Sequence, residues 1–190
     1  MRKIIATEFY SVDGMMSDPE DQMDWVTADF GPDMAEAVES EYTRADTLFL
    51  GAVTYRIMAA YWPTAATNPD AGEGDAEFAS TMNNIKKIVF SKTALAPEWS
   101  HSEFRPEINA DDIREMKGAS GKDMLIAGSA SIVRQFTELG LIDEYHLLLH
   151  PTILGSGKPL FRGVKGRHDL KLLEARALDN GVVMLRYEPV

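Results

Sequence analysis

Two short runs constrain this chain most: Thr47-Leu48-Phe49-Leu50 and Met124-Leu125-Ile126-Ala127. Both are apolar almost throughout, where a strand with one wet face would alternate. Strands without alternation are covered on both sides, as parallel strands are when helices flank a sheet. Each run stops at a glycine, Gly51 or Gly128, and helix-forming sequence follows. Lys87-Ile88-Val89-Phe90 is a third such strand. Lys3 to Tyr10 and Glu144 to His150 supply two more. Helices are predicted from Pro32 to Arg44, from near Thr54, from Ala76 to Met82, after an Asn109 N-cap, and from Ser129 or Ala130 to Leu139. Gly140 closes the last of these. Leu170 to Leu178 and Val182 to Tyr187 read as a hairpin around Asn180-Gly181, a two-residue turn signal. The expected fold is α/β: a mostly parallel central sheet between two helical layers, with an antiparallel hairpin at its C-terminal edge. Ligands of such sheets bind outside the carboxyl ends of the strands.

The 190 residues are expected to form a single domain, 1–190. Trp62 to Asp75, rich in Pro, Ala, Thr, Gly and Asp, reads as a long surface loop within it. No apolar run reaches the ~18–20 residues of a membrane helix, and Met1 to Glu8 contains no signal-peptide core. The cytoplasm is therefore the expected location, with no membrane partner. A net charge of −11 argues against nucleic acid as the main partner. The charge is uneven: Lys158, Arg162, Lys165, Arg167 and Lys171 face only Asp169 in their stretch. That stretch reads either as a solvated loop or as a lid for an anionic ligand. The absence of cysteine excludes disulfides, thiolate nucleophiles, iron–sulfur clusters and the usual zinc nucleoside-deaminase site.

Chemistry points to the strand-to-helix junctions. Leu50-Gly51-Ala52-Val53-Thr54-Tyr55 and Ala127-Gly128-Ser129-Ala130-Ser131 each bring a glycine and small or hydroxylated residues to a helix start. Such a start offers unpaired N–H groups and partial positive charge to a phosphate. Phe90-Ser91-Lys92-Thr93 adds a lysine at a third strand end. Each junction alone also reads as ordinary turn and cap chemistry. Together they match a dinucleotide that has several phosphates to place.

At these junctions the chain resembles the dihydrofolate-reductase-like superfamily. Within it, the chain is most similar to the reductase domain of the riboflavin-biosynthesis deaminase-reductase and its stand-alone bacterial relatives. The resemblance rests on Ser11-Val12-Asp13-Gly14, Leu50-Gly51 with Thr54-Tyr55, Tyr61-Trp62-Pro63, Met82-Asn83, Gly128-Ser129 and Gly140-Leu141-Ile142-Asp143-Glu144. Pro151 to Phe161, reading PTILGSGKPLF, completes it. It spans nearly the whole chain. It implies a three-layer dihydrofolate-reductase-like fold, an NADPH-dependent reductase of a small substrate, and a homodimer. By the same resemblance Gly51 and Thr54 serve the pyrophosphate, and Ser91 and Lys92 lie near the 2′-phosphate. Gly128, Ser129 and Ala130 line the nicotinamide side, and the Asp13-Gly14 loop borders the substrate. The family's Gly-Arg-x-Thr-Tyr-Glu reads Gly51-Ala52-Val53-Thr54-Tyr55-Arg56 here, so NADH stays open beside NADPH, with Arg56 one turn beyond Ala52. The deaminase half has no counterpart in this chain.

Reduction also needs a proton source. The classical reductase keeps its acid at the start of the helix after the first loop. That makes Asp29, Asp33 and Glu36 candidates here, with Asp33 best placed and Asp13 a second catalytic candidate. Acids in a first helical turn are also simply favoured there. Trp25, Trp62 and Trp99 read as core or pocket walls, and Trp25 and Trp62 join Gly14 as substrate-side candidates. His146 and His150 share a strand face without a third ligand nearby in sequence, so no metal is expected. Four readings remain: a reductase of a heterocyclic or carbonyl substrate, the 5-amino-6-(5-phosphoribosylamino)uracil reductase of riboflavin synthesis, a non-catalytic nucleotide-binding protein, and a structural homodimer.

Overall fold

A computed structural model describes residues 1–28, 30–72, 74–93 and 95–190. Its elements run β1 (Ile4–Ser11), β2 (Met15–Ser17), α1 (Asp24–Thr27), α2 (Pro32–Thr43), β3 (Ala45–Gly51), α3 (Ala52–Ala65), α4 (Asp75–Asn84), β4 (Lys86–Phe90), β5 (Ser102–Arg105), α5 (Ala110–Gly118), β6 (Asp123–Ala127), α6 (Ala130–Glu138), β7 (Glu144–His150), β8 (Lys158–Pro159), β9 (Leu170–Ala177) and β10 (Val183–Pro189). The eight-stranded sheet has the order β5-β4-β3-β6-β1-β7-β10-β9. Strands β5 to β7 are mutually parallel, and β10 and β9 close the edge antiparallel.

The non-alternating runs explain the layering. Successive side chains of a strand leave on opposite faces. Ile4, Ala6, Phe49, Ile88, Met124 and Ile126 pack with Ile113 of α5 and with Ile132, Val133 and Phe136 of α6. Their neighbours Ile5, Leu48, Leu50, Val89 and Leu125 pack with Tyr42 of α2, Tyr55 and Ala59 of α3, and Met82 of α4. Both faces are therefore buried, and each fully covered Leu, Ile or Phe contributes about 1.5–3 kcal/mol. The fold is the expected three-layer α/β arrangement.

Three local expectations are corrected. Helix α3 runs through Trp62 and Pro63 to Ala65, so the segment expected to be a loop from Trp62 begins only after it. Pro63 lies in the last turn, where a proline removes a single backbone bond and the helix is ending anyway. The hairpin turn holds three residues, Asp179 to Gly181, between the paired Leu178 and Val182, with Gly181 at φ 83°. The polar strand β5 and the two-strand ladder of β2 with β8 had no reading in the sequence. Among the described residues no helix is long and apolar enough to cross a membrane.

Candidate active site

The carboxyl ends of β1, β3, β4 and β6 open into one cavity of about 700 Å³. That volume lies within the range of small-molecule and cofactor sites. Gly51 and Ser129 are the N-caps of α3 and α6, and no side chain caps either helix. Ala52, Val53 and Thr54 of one helix start and Ala130 and Ser131 of the other line the same cavity. Two sets of first-turn N–H groups thus share one space, an arrangement suited to anions.

The two junctions interlock. The Gly51 N–H donates to Ser129 Oγ at 2.8 Å, and Ser129 Oγ–H donates to Thr54 Oγ1 at 2.6 Å. Gly51 accommodates this because a Cβ there would stand 3.0 Å from Ser129 Oγ. Gly128 and Ser129 are both left-handed at φ 69°. For Ser129 that conformation costs about 1–2 kcal/mol. Its hydroxyl is therefore engaged as a brace between the junctions. At the third junction the Ser91 N–H bonds the Arg105 carbonyl and Ser91 Oγ bonds the Thr93 carbonyl at 2.8 Å, leaving Lys92 on the cavity wall.

All seven sequence candidates for nucleotide contact line this cavity: Gly51, Thr54, Ser91, Lys92, Gly128, Ser129 and Ala130. Two further cations join them. Arg134 donates to the Pro159 carbonyl at 2.9 Å, and Lys158 pairs with Asp21 at 2.6 Å. Of the basic stretch from Lys158 to Lys171 only Lys158 reaches the cavity wall. Arg167 and Lys171 pair instead with Asp169 and Glu188 at the surface. Arg56 is exposed and does not line the cavity, so it does not stand in for the guanidinium absent at Ala52.

The remaining candidates are not brought here. Asp13 is exposed. Its carboxylate accepts from Ser11 Oγ at 2.6 Å and from the Leu154 and Gly155 N–H groups at 3.1 and 2.7 Å, which holds it below the usual carboxylate range. It fastens the first turn to the loop after β7. Asp33 accepts from the Asp179 N–H at 2.8 Å and so ties α2 to the β9–β10 turn. Glu36 is exposed, and Asp29 lies outside the described residues. Gly14, at φ 82°, shapes the first turn. Trp25 packs edge-on to His150 at 5.1 Å and Trp62 edge-on to Phe78 at 5.5 Å, both away from the cavity lining. His146 is buried, with Nδ1 on Glu41 and Nε2 on Glu144.

Two acids line the cavity: Asp21, paired with Lys158, and Glu8, which sequence reading passed over. Glu8 is 2% exposed, and its Oε1 has no hydrogen-bond partner among the described residues. Burial pushes its carboxyl well above the ordinary range, and a hydrogen bond from the Gly128 backbone only partly opposes this. The signal was present: Glu8 is the lone acid within Ile4-Ile5-Ala6-Thr7-Glu8-Phe9-Tyr10. Around it the wall is apolar, formed by Phe9, Met16, Val38, Tyr42, Ile57 and Met58. The hydroxyl of Tyr42 is itself raised, by burial first and then by the negative charge of Glu8 and Glu41.

Fold and site together define a dihydrofolate-reductase-like domain with a cleft at its strand ends that two helix starts and a buried acid line. More narrowly, the chain belongs to the RibD C-terminal domain family, whose model matches residues 2–184. It is 32% identical over 186 residues to the Bacillus subtilis (strain 168) protein YyaP, covering 98% of this chain and 94% of YyaP. In fold it resembles the Thermotoga maritima diaminohydroxyphosphoribosylaminopyrimidine deaminase/5-amino-6-(5-phosphoribosylamino)uracil reductase. That match has a TM-score of 0.67 at 16% identity and covers 100% of this chain and 57% of the other. It likewise resembles Enterococcus faecalis dihydrofolate reductase complexed with NADP(H). There the TM-score is 0.64 at 13% identity, with 98% of this chain and 96% of the other covered.

Proposed function

We propose that this chain is an NADPH-dependent reductase of a small organic substrate, of pterin- or pyrimidine-like heterocyclic type. One observation carries the reading: two uncapped helix starts and Lys92 meet in a cavity that also has an apolar wall and a buried acid. The donor set fits a dinucleotide. The first-turn N–H groups of α3 and α6 would take the pyrophosphate, with Thr54 Oγ1 beside them. Lys92 would meet the 2′-phosphate as a point charge. Ser129 would hold the two helix starts in register, and the apolar wall would exclude water from the reacting end. The nicotinamide, when bound, supplies the hydride. Two relatives support the reading: the Thermotoga protein is named a reductase, and the Enterococcus enzyme is a reductase complexed with NADP(H).

A second reading, reduction of 5-amino-6-(5-phosphoribosylamino)uracil, is favoured by Arg134 and Lys158. These cations share the cavity with Lys92 and could receive a substrate phosphate. The expected assembly is a homodimer in the cytoplasm.

Thermal unfolding with NADPH, NADP⁺, NADH and no nucleotide tests the reading. A nucleotide at about a hundred times its Kd adds roughly 2.7 kcal/mol of stability. A clear rise in Tm with NADPH and a small one with NADH is expected, followed by consumption of NADPH with pterin or aminouracil substrates. No rise with any nucleotide refutes the cofactor assignment. Tight NADPH binding without turnover on any such substrate supports a nucleotide-binding protein instead.

A further inference from the structure

We propose that Glu8 carries the proton that accompanies the hydride, holding it while the nicotinamide is reduced and releasing it when the ring becomes a cation. This rests on the reductase reading above and adds to it the residue and the direction of proton flow.

The argument begins with the company Glu8 keeps. A carboxyl kept in a protein interior for structural reasons is paired, because a lone buried charge is costly. Glu41 and Glu144 show the rule: Glu41 bonds His146, and Glu144 bonds Lys3, His146 and Arg186. Glu8 is as buried as they are, yet no cation pairs with it among the described residues. Its Oε1 is left without a partner. The cations of the same cavity have other engagements: Lys158 is on Asp21, and Arg134 is on the Pro159 carbonyl. The charged and titratable groups on the elements around it are Tyr42 and Glu41 on α2, His146 beside its β7 neighbour Leu147, Glu144 further back on β7 opposite Ile5, and Asp21, Lys92, Arg134 and Lys158 on the cavity wall. Burial without a paired cation opposes a negative charge on Glu8 and favours the neutral acid, whose O–H can be donated.

Its place in the fold is the second half of the argument. Thr7 of β1 pairs with Ala127 of β6, so the next residues, Glu8 and Gly128, lie level, and Gly128 starts the second junction. The acid thus lies beside the loop that would hold the cofactor. No cation of the cavity wall is paired with Glu8 among the described residues, so a positive charge brought beside it would favour the carboxylate. The balance of the step follows. The substrate carbon of a C=N or C=O bond gains the hydride with its electron pair. The π pair moves to the heteroatom, which takes the proton as the Glu8 O–H bond breaks. The hydride would come from the nicotinamide, and the Glu8 carboxylate left behind would regain its proton from solvent.

The test needs no knowledge of the substrate. Binding of NADP⁺ and NADPH is measured by isothermal titration between about pH 6 and pH 9, in two buffers of different ionisation enthalpy. A ligand that favours the ionised acid binds more tightly as pH rises, by up to about tenfold per pH unit, and releases up to about one proton. That behaviour is expected for NADP⁺ and not for NADPH. The phosphates and Lys92 are common to both nucleotides and cancel in the comparison. Glu8→Gln should make the two pH profiles parallel while both nucleotides still bind. Parallel profiles in the unmodified protein, or a difference that survives Glu8→Gln, overturn the proposal and leave the reductase reading standing. Absence of binding by either nucleotide overturns both. If Glu8→Gln fails to fold, proton release by the unmodified protein decides the question.

Discussion

Glu144 shows how partners reverse the effect of burial at a single residue. Burial alone would raise its carboxyl, but hydrogen bonds from Lys3, His146 and Arg186 outweigh that and bring it down to about 2, from an ordinary 4.5. A carboxyl lowered on folding adds stability that is fully present above its unfolded value and is lost as pH falls through the folded one. Stability should therefore decline from about pH 4.5 toward about pH 2. Glu144→Gln should be less stable at neutral pH by about 2 kcal/mol and should show a shallower acid decline. Urea midpoints of both proteins across that range check this, and equal slopes would remove Glu144 as the cause. The same residue marks the limit of reading acids in a sequence. Glu8, Glu41 and Glu144 differ in nothing that composition records, and only the fold reveals which cations they meet. Asp33 carries no distinguishing signal, because an acid in a first helical turn satisfies the macrodipole whether or not a ligand is near. Asp13 is spent on two backbone N–H groups from a loop more than a hundred residues away. That Gly51, Thr54, Gly128 and Ser129 sit at strand-to-helix junctions was legible because the chemistry of such a junction is local.

The elements read best were those whose burial needs no partner to be known. The double-faced strands β3, β4 and β6 identified themselves by lacking alternation, and α6 by its stripe of Ile132, Val133 and Phe136. Strand β5 is polar and half-buried throughout, and β8 is two residues long, so neither had a pattern to show. The β2–β8 ladder nevertheless positions Lys158 and Pro159 on the cavity wall, and Gly157 is what allows it. Gly157 sits at φ 142°, and a Cβ there would fall 2.0 Å from the Ser17 carbonyl oxygen. Gly157→Ala should displace β8, cost about 1–3 kcal/mol and weaken nucleotide binding, because Asp21 and Lys158 lose their alignment. Gly118→Ala, where a Cβ meets open space, is the control and should leave both Tm and binding unchanged. Identical behaviour of the two variants would show that the ladder does not shape the cavity.

At the scale of the whole molecule the unfinished feature is the sheet's last strand. Strand β9 is an edge, paired on one side by β10 and open on the other. Leu170, Leu172 and Leu173 are 37%, 51% and 42% exposed along it. Soluble proteins usually guard such an edge with charge, proline or a covering element, since an apolar edge recruits another chain. Here Lys171 and Glu174 lie among the leucines, but each already pairs within the hairpin, with Glu188 and Arg186 respectively. A net charge of −11 sets a long-range repulsion between copies, so association must come from short-range apolar contact and should strengthen with salt. We therefore propose a homodimer that covers β9. Light scattering coupled to size exclusion should give twice the chain's 21.1 kDa, with the dimer more persistent at high ionic strength. Leu172→Glu should shift the mass to the monomer and leave NADPH binding intact, because β9 lies at the opposite end of the sheet from β3 and β4, whose ends carry two of the three junctions. A protein that stays monomeric at every concentration, or a Leu172→Glu dimer as strong as the original, would place the interface elsewhere or deny it altogether.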